Sequence, residues 1–154
     1  MSKECITTFY SAFQKLDYKT MATCYHPDAT FKDEVFQLKG KEIADMWEML
    51  CTRAQSFQLH FSDVESTTEH GSAHWEPKYV FSKTGKHVHN IIDATFTFKD
   101  GKILTHHDSF NFYAWAKQAF GFTGVLLGWL PFFRKKVVKI ANESLRHYIK
   151  KTRS

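Results

Sequence analysis

The stretch from His87 to Trp115, HVHNIIDATFTFKDGKILTHHDSFNFYAW, limits the fold more than any other part of the chain. It reads as two alternating strands of about twelve residues flanking Lys99-Asp100-Gly101, a three-residue hairpin loop with Gly in the left-handed position. That loop sets Phe98 opposite Lys102, Phe96 opposite Leu104, Ala94 opposite His106, Ile92 opposite Asp108 and Asn90 opposite Phe110. One face then carries Val88, Asn90, Ile92, Ala94, Phe96, Phe98, Leu104, His106, Asp108, Phe110 and Phe112, apolar apart from Asn90, His106 and Asp108. The opposite face carries His87, His89, Ile91, Asp93, Thr95, Thr97, Thr105, His107, Ser109 and Asn111, a wetter or partner-facing surface.

Before the hairpin the pattern is helical, then alternating. Ile6, Phe9, Tyr10, Phe13 and Leu16 recur at helical spacing. Asp17 is placed to cap a second, short helix carrying Met21, Cys24 and Tyr25 inward and ended by Pro27. Residues 29–36 read as a short strand in which Asp33 shares the face of Ala29 and Phe31. After Gly40, the residues Ile43, Met46, Trp47, Leu50 and Ala54 form the apolar stripe of a third helix. Phe57, Leu59 and Phe61, then Ala73, Trp75, Pro77, Tyr79 and Phe81, mark two strands with one buried face each. This order predicts an α+β fold: a conical barrel of a curved, mostly antiparallel sheet wrapped on three N-terminal helices, with an added C-terminal helix.

At 154 residues, 43% hydrophobic and 16% aromatic, the chain suffices for one well-buried core and is short for two. We expect a single domain over 1–154, with a core at 3–113 and a helical extension at 114–154. Cys5, Cys24 and Cys51 show no Cys-x-x-Cys spacing, which suggests neither a disulfide framework nor a thiolate zinc site. Reduced thiols and an N-terminus without a secretory pattern lead to a cytoplasmic expectation. The net charge is +5, from 21 Lys and Arg against 16 Asp and Glu. Residues 134–154 hold eight of those basic side chains and one acid, Glu143, which leaves 13 against 15, a net of −2, in the body. A nucleic-acid-binding body needs its own basic face, so nucleic acid is not expected as a partner.

Tyr25-His26-Pro27-Asp28-Ala29-Thr30-Phe31-Lys32-Asp33, Gly40-Lys41-Glu42-Ile43 and Phe98-Lys99-Asp100-Gly101-Lys102-Ile103 occur in that order. Together they resemble the nuclear-transport-factor-2-like superfamily, in particular its SnoaL-like and ketosteroid-isomerase-like members, over roughly residues 3 to 113. The resemblance implies a cone with an apolar pocket and often a homodimer through the outer sheet face. It also implies that Asp33 stands where the isomerases carry their general-base carboxylate. The same alignment puts Phe9 and Ala94 where those enzymes carry their oxyanion donors, which disfavours steroid isomerisation. Arg53 is the sole Arg before residue 134, so the Asp-Arg-Asp set of the limonene epoxide hydrolases has no counterpart here.

The candidate catalytic groups are Asp33, His106 and Asp108. A carboxylate in an apolar cavity has its pKa raised and is poised to take a proton from carbon next to a carbonyl. His106 and Asp108, two apart on one strand, project from one face about 6.5 to 7 Å apart, and a carboxylate beside an imidazole fixes its tautomer. Asp33 also reads as a partly exposed acid at a strand end, and the His106–Asp108 pair as a satisfied polar cluster. Trp47, Trp75, Tyr79, Asn90, Phe110 and Phe112 are the expected ligand-binding residues of a pocket for a small hydrophobic molecule. No cofactor is expected. No metal is expected either, because His87, His89 and His107 with Asp93 lack a closing ligand.

Two functions fit this reading: a cofactor-free acid/base enzyme acting on a carbonyl or hydroxyl compound, and a non-catalytic module binding an apolar ligand or a protein. In the tail, FGFTGVLLGWLPFF is too short and too interrupted to span a bilayer. The basic amphipathic helix expected over 134–150 reads most simply as a lid on the cone. Contact with an anionic membrane surface is the alternative.

Overall fold

In a computed structural model, which describes residues 1–153, three N-terminal helices pack against a strongly curved sheet. Helix α1 (Ser2–Gln14) sends Ile6, Phe9, Tyr10 and Phe13 into the core. The break after it follows from Leu16, held at φ 57°, and from the Asp17 cap, whose carboxylate accepts from Thr20 N–H at 3.1 Å to open α2 (Tyr18–Thr23). Strand β1 (Tyr25–Lys32) begins before Pro27, so Tyr25 belongs to the sheet rather than to the helix expected from the sequence. A short β2 (Gln37–Lys39) and α3 (Lys41–Arg53) follow, with Ile43, Met46 and Trp47 buried and Leu50 left at the surface.

The sheet runs β2-β1-β7-β6-β4-β3, with β3 (Gln58–Ser66), β4 (His70–Phe81), β6 (Ile92–Lys99) and β7 (Lys102–Ser109). All its pairings are antiparallel except β1 with β7. The long β4 accounts for one difference from expectation. One of its edges is shared in succession by β6, paired through Trp75↔Ile92, and by β5 (Lys86–His89), paired through Lys78↔His89. The expected single strand over 87–98 is therefore two strands, broken at Asn90-Ile91. Asn90 N–H donates to Pro77 O at 3.0 Å across that break.

The hairpin itself closes on two residues, not three. Asp100 (φ 54°) and Gly101 (φ 75°) both adopt left-handed backbone, and Lys99 pairs with Lys102, the arrangement of a type I′ turn. Phe98 then faces Ile103, and the ladder slips at Leu104 so that Phe96 faces His106 and Ala94 faces Asp108. A bulge adds one residue to one strand. Here it gives the core position to Ile103 in place of Leu104 while keeping His106 and Asp108 on the inner face.

β7 ends at Ser109, earlier than the alternation suggested. Asn111 caps α4 (Phe112–Phe120) by accepting from Ala114 N–H at 2.9 Å, and α5 (Phe122–Leu127) and α6 (Pro131–Thr152) follow. Phe112, expected in the pocket, is instead the first residue of α4. It packs with Val88, Trp115, Ala116, Ala119 and Phe133 in a second apolar cluster. Helix α6 lays Ala141, Leu145, Tyr148 and Ile149 on the main core, as a lid would. Asn142 Nδ2–H donates to Val35 O at 3.1 Å, Arg134 pairs with Glu34, and Arg153 pairs with the buried Asp45. The helix is thereby fastened to the body at both ends.

Candidate active site

Between the sheet, α3 and α6 lies a cavity of about 600 Å³. Trp47, Trp75, Tyr79, Asn90 and Phe110 line it, together with Asp33 and Asp108, while Val137 and Ile140 close it from the α6 side. The lining is otherwise mostly aromatic and aliphatic, so a ligand held there exchanges water for apolar contact over most of its surface.

Asp33 follows the last residue of β1 and is part of the wall. Its Oδ1 accepts from Val35 N–H at 2.7 Å and Phe36 N–H at 2.6 Å, while Asp33 N–H donates to Phe36 O at 3.0 Å. Those bonds fix the side chain and use one of its two oxygens. Burial pushes its pKa up to about 6; the two backbone N–H groups oppose that rise, and the Asp108 charge adds to it.

His106 is 1% exposed and has both ring nitrogens engaged. Nε2 lies 2.9 Å from Asp108 Oδ1, and Nδ1 lies 2.7 Å from Tyr25 Oη. Trp47 Nε1–H donates to Tyr25 Oη at 3.0 Å, and Trp75 Nε1–H donates to Asp108 Oδ1 at 3.2 Å. A carboxylate only accepts, so with a neutral ring at His106 the protons have one consistent assignment. Trp47 donates to Tyr25, Tyr25 donates to Nδ1, and Nε2–H donates to Asp108. His106 and Asp108 are joined directly, as their shared face suggested. Both ring nitrogens of His106 are thus occupied, by Tyr25 and by Asp108, and His106 does not line the cavity. The contribution of Tyr25 was missed from sequence because its strand was read as the end of a helix; the Tyr-x-Pro start of β1 was the available signal.

Two neutral donors complete the wall. Tyr79 Oη accepts from Trp115 Nε1–H at 2.9 Å, which leaves its own O–H to donate, and burial raises its pKa. Asn90 Oδ1 accepts from Ile91 N–H at 3.1 Å, which fixes the amide orientation and leaves Nδ2 without a protein partner among the described residues. Phe9 and Ala94 are both buried and supply no donor. The neighbouring Tyr10 is fully buried against Phe61 and Trp75, its hydroxyl without a partner among the described residues, and it does not line the cavity. Arg53 Nη1 donates to Ser144 Oγ at 2.8 Å and its guanidinium lies over the Tyr148 ring, so it is engaged with α6 rather than with Asp33 or Asp108.

On the outer face the expected pairing of Asp93 with His107 is replaced. Asp93 faces Ser109 across the ladder, and its carboxylate lies 2.8 Å from His74 Nδ1. Glu76 bridges His74 and His89 at 2.7 Å each. Among the described residues no group of three His, Cys, Asp or Glu side chains is arranged to hold a metal ion.

The SnoaL-like domain family matches residues 6–106, which takes in every strand except the last three residues of β7, Asp108 among them, and leaves α4, α5 and α6 outside. The chain belongs to the SnoaL-like domain family. No curated protein sequence matches this SnoaL-like chain. Among solved structures, it is similar to a protein with a ketosteroid isomerase-like fold from Catenulispora acidiphila, in complex with trimethylamine. That likeness has a TM-score of 0.66 at 12% identity, covering 75% of this chain and 92% of the other. An LEH-like epoxide hydrolase from M. tuberculosis gives a TM-score of 0.63 at 17% identity, covering 86% and 94%. TerC, co-crystallised with polyporic acid, gives 0.66 at 15% identity, covering 78% and 98%. At such identities the likeness establishes the NTF2-like cone.

Proposed function

We propose that this SnoaL-like chain binds a small hydrophobic carbonyl or hydroxyl compound in its cavity and moves a proton on it without a cofactor, with Asp33 as the base. One observation carries the reading: a carboxyl raised to about 6 on the wall of a largely apolar cavity, with one oxygen uncommitted. At pH 7 such a group is about nine-tenths ionised yet basic enough to accept a proton from carbon beside a carbonyl. In that step the C–H bond breaks and its proton goes to Asp33. The electron pair moves onto the carbonyl oxygen as an enolate, and the proton is returned to the carbon skeleton from Asp33. Tyr79 O–H and Asn90 Nδ2–H are the donors we assign to the enolate oxygen. His106 is a positioning residue, acting through Asp108. The Asp-Arg-Asp set of the limonene epoxide hydrolases is not assembled on this wall, since Arg53 is turned to α6.

The test uses 2-acetylnaphthalene, a hydrophobic ketone of suitable size, in D2O. The full chain is expected to accelerate exchange of its methyl protons, followed by NMR, and Asp33→Asn to lose at least a hundredfold of that acceleration. Exchange at the buffer rate, or equal exchange by the variant, overturns the assignment. If the ketone binds without exchange, the non-catalytic binding module is the reading that survives. We also place a second copy of the chain on the outer sheet face around Asp93, His74 and Glu76, and light scattering at micromolar concentration reads that dimer.

A further inference from the structure

Most of the large apolar side chains that face water sit in one corner of the molecule. Phe122, Val125, Leu126 and Trp129 of α5 and its exit, with Phe132 and Ile140 of α6, are all exposed, Phe122 at 77% and Trp129 at 67%. Helical spacing puts Phe122 beside Leu126 and aligns Phe132, Lys136 and Ile140 on one side of α6. Contiguous exposed apolar surface of this kind marks an interaction site.

Its charge identifies what it meets. From Ser109 to Asn142 the sequence contains no Asp or Glu, but does contain Lys117, Arg134, Lys135, Lys136 and Lys139. Lys135, Lys136 and Lys139 are exposed and form no ion pair among the described residues. Lys86, from the β5 strand, lies against Gly121 at the start of the same corner. Exposed Phe, Leu and Trp surrounded by lysines, with no acid among them, match an anionic bilayer: the rings enter the interface and the ammonium groups stay with the headgroups. No helix among the described residues is long and apolar enough to cross a membrane, so the contact is peripheral.

We infer that the α5–α6 corner docks this chain on the surface of an anionic phospholipid membrane, with Phe122, Leu126, Trp129 and Phe132 as the inserted side chains. A consequence rests on the proposed function: Thr123, Leu127, Phe132, Lys136 and Ile140 also border the cavity, so a docked molecule takes its hydrophobic ligand from the bilayer.

The experiment is flotation of the full chain with vesicles of phosphatidylcholine alone and of phosphatidylcholine with about 30% phosphatidylserine. The chain should float with the anionic vesicles at least tenfold better than with the neutral ones, and less as salt is raised. Phe122→Ser with Leu126→Ser and Trp129→Ser, all exposed positions, should abolish flotation with an unchanged circular dichroism spectrum. Lys135→Glu with Lys139→Glu should remove the preference for phosphatidylserine. Brominated phospholipid should quench the fluorescence of the parent chain and spare Trp129→Phe, because Trp47, Trp75 and Trp115 are buried. Parent chain left at the bottom of the gradient with anionic vesicles overturns the proposal, as does equal flotation by the serine variant. Self-association lost in the serine variant, without flotation of the parent, assigns the corner to a second copy and also overturns it. Flotation is read without any ligand, so its failure is separate from failure of the ketone exchange.

Discussion

Asp33 sets stability against chemistry at a single residue. Its folded value of about 6 lies above the 3.8 of an unperturbed carboxyl, so the folded state holds this proton more tightly than the unfolded chain does. The stability tied to it is fully present below the unfolded value and is lost as the pH rises through about 6. The loss is on the order of 2–3 kcal/mol by neutral pH. Asp33→Asn keeps a carbonyl oxygen for Val35 and Phe36 N–H and sheds the charge. We therefore expect it to be roughly 2 kcal/mol more stable than the parent at pH 7 and close to parity near pH 4 in urea titrations. A variant less stable than the parent at pH 7 contradicts the burial assigned to Asp33. Tyr25 tests the other polar cluster. Tyr25→Phe leaves Trp47 Nε1–H and His106 Nδ1 without their partner in a dry core, a loss of about 2–4 kcal/mol. An unchanged denaturation midpoint would mean that the chain from Trp47 to Trp75 does not form in solution.

At the scale of elements, the lid depends on two helices meeting almost backbone to backbone. A Cβ built on Gly124 lies 2.0 Å from Ala116 O and 2.6 Å from Ala116 C, so α5 can lie on α4 only because residue 124 has no side chain. Gly124→Ala must move α5 off α4, at a cost of about 1–3 kcal/mol. Hydrogen exchange should then rise over 121–136 while β6 and β7 keep their protection; uniform protection throughout would show that α5 does not pack as described. The elements also show where sequence reasoning succeeds and where it stops. The stripe Ile6, Phe9, Tyr10, Phe13 and the Asp17 cap are local signals, and the helices they announce form. The alternation over 92–98 and 105–109 correctly turned His106 and Asp108 inward. The two-residue turn and the one-residue bulge at Leu104 together shift the pairing by two residues, which restores the same facing and leaves no trace in a period of two. The break at Asn90-Ile91 is set by the length of β4, a distant strand, and no local residue announces it. Phe112 was misplaced for a related reason: Asn111 is a capping residue, and its signal was read as one more step of alternation.

For the whole molecule, the cone and the lid do different work. The cone was legible because each strand carries its own alternation and the α+β order leaves few ways to cover the apolar faces. The cavity was legible only as a tendency of Trp47, Trp75, Tyr79, Asn90 and Phe110 to face inward, since its closure by Val137 and Ile140 joins residues more than a hundred positions from Asp33's neighbours on β1. The exposed corner at Phe122 to Phe132 was hidden for the same reason: apolar residues in a tail look like core until the rest of the chain is seen to leave them uncovered. The molecule so described holds a largely apolar chamber with a carboxyl of raised pKa, Asp33, in its wall. A carbon-13 NMR titration of the Asp33 carboxyl in the full chain, without and with 2-acetylnaphthalene, tests that most directly. The account predicts a midpoint near 6, moved further upward when the ketone displaces water from the cavity. A midpoint at the ordinary carboxylate value, unchanged by the ketone, would contradict it.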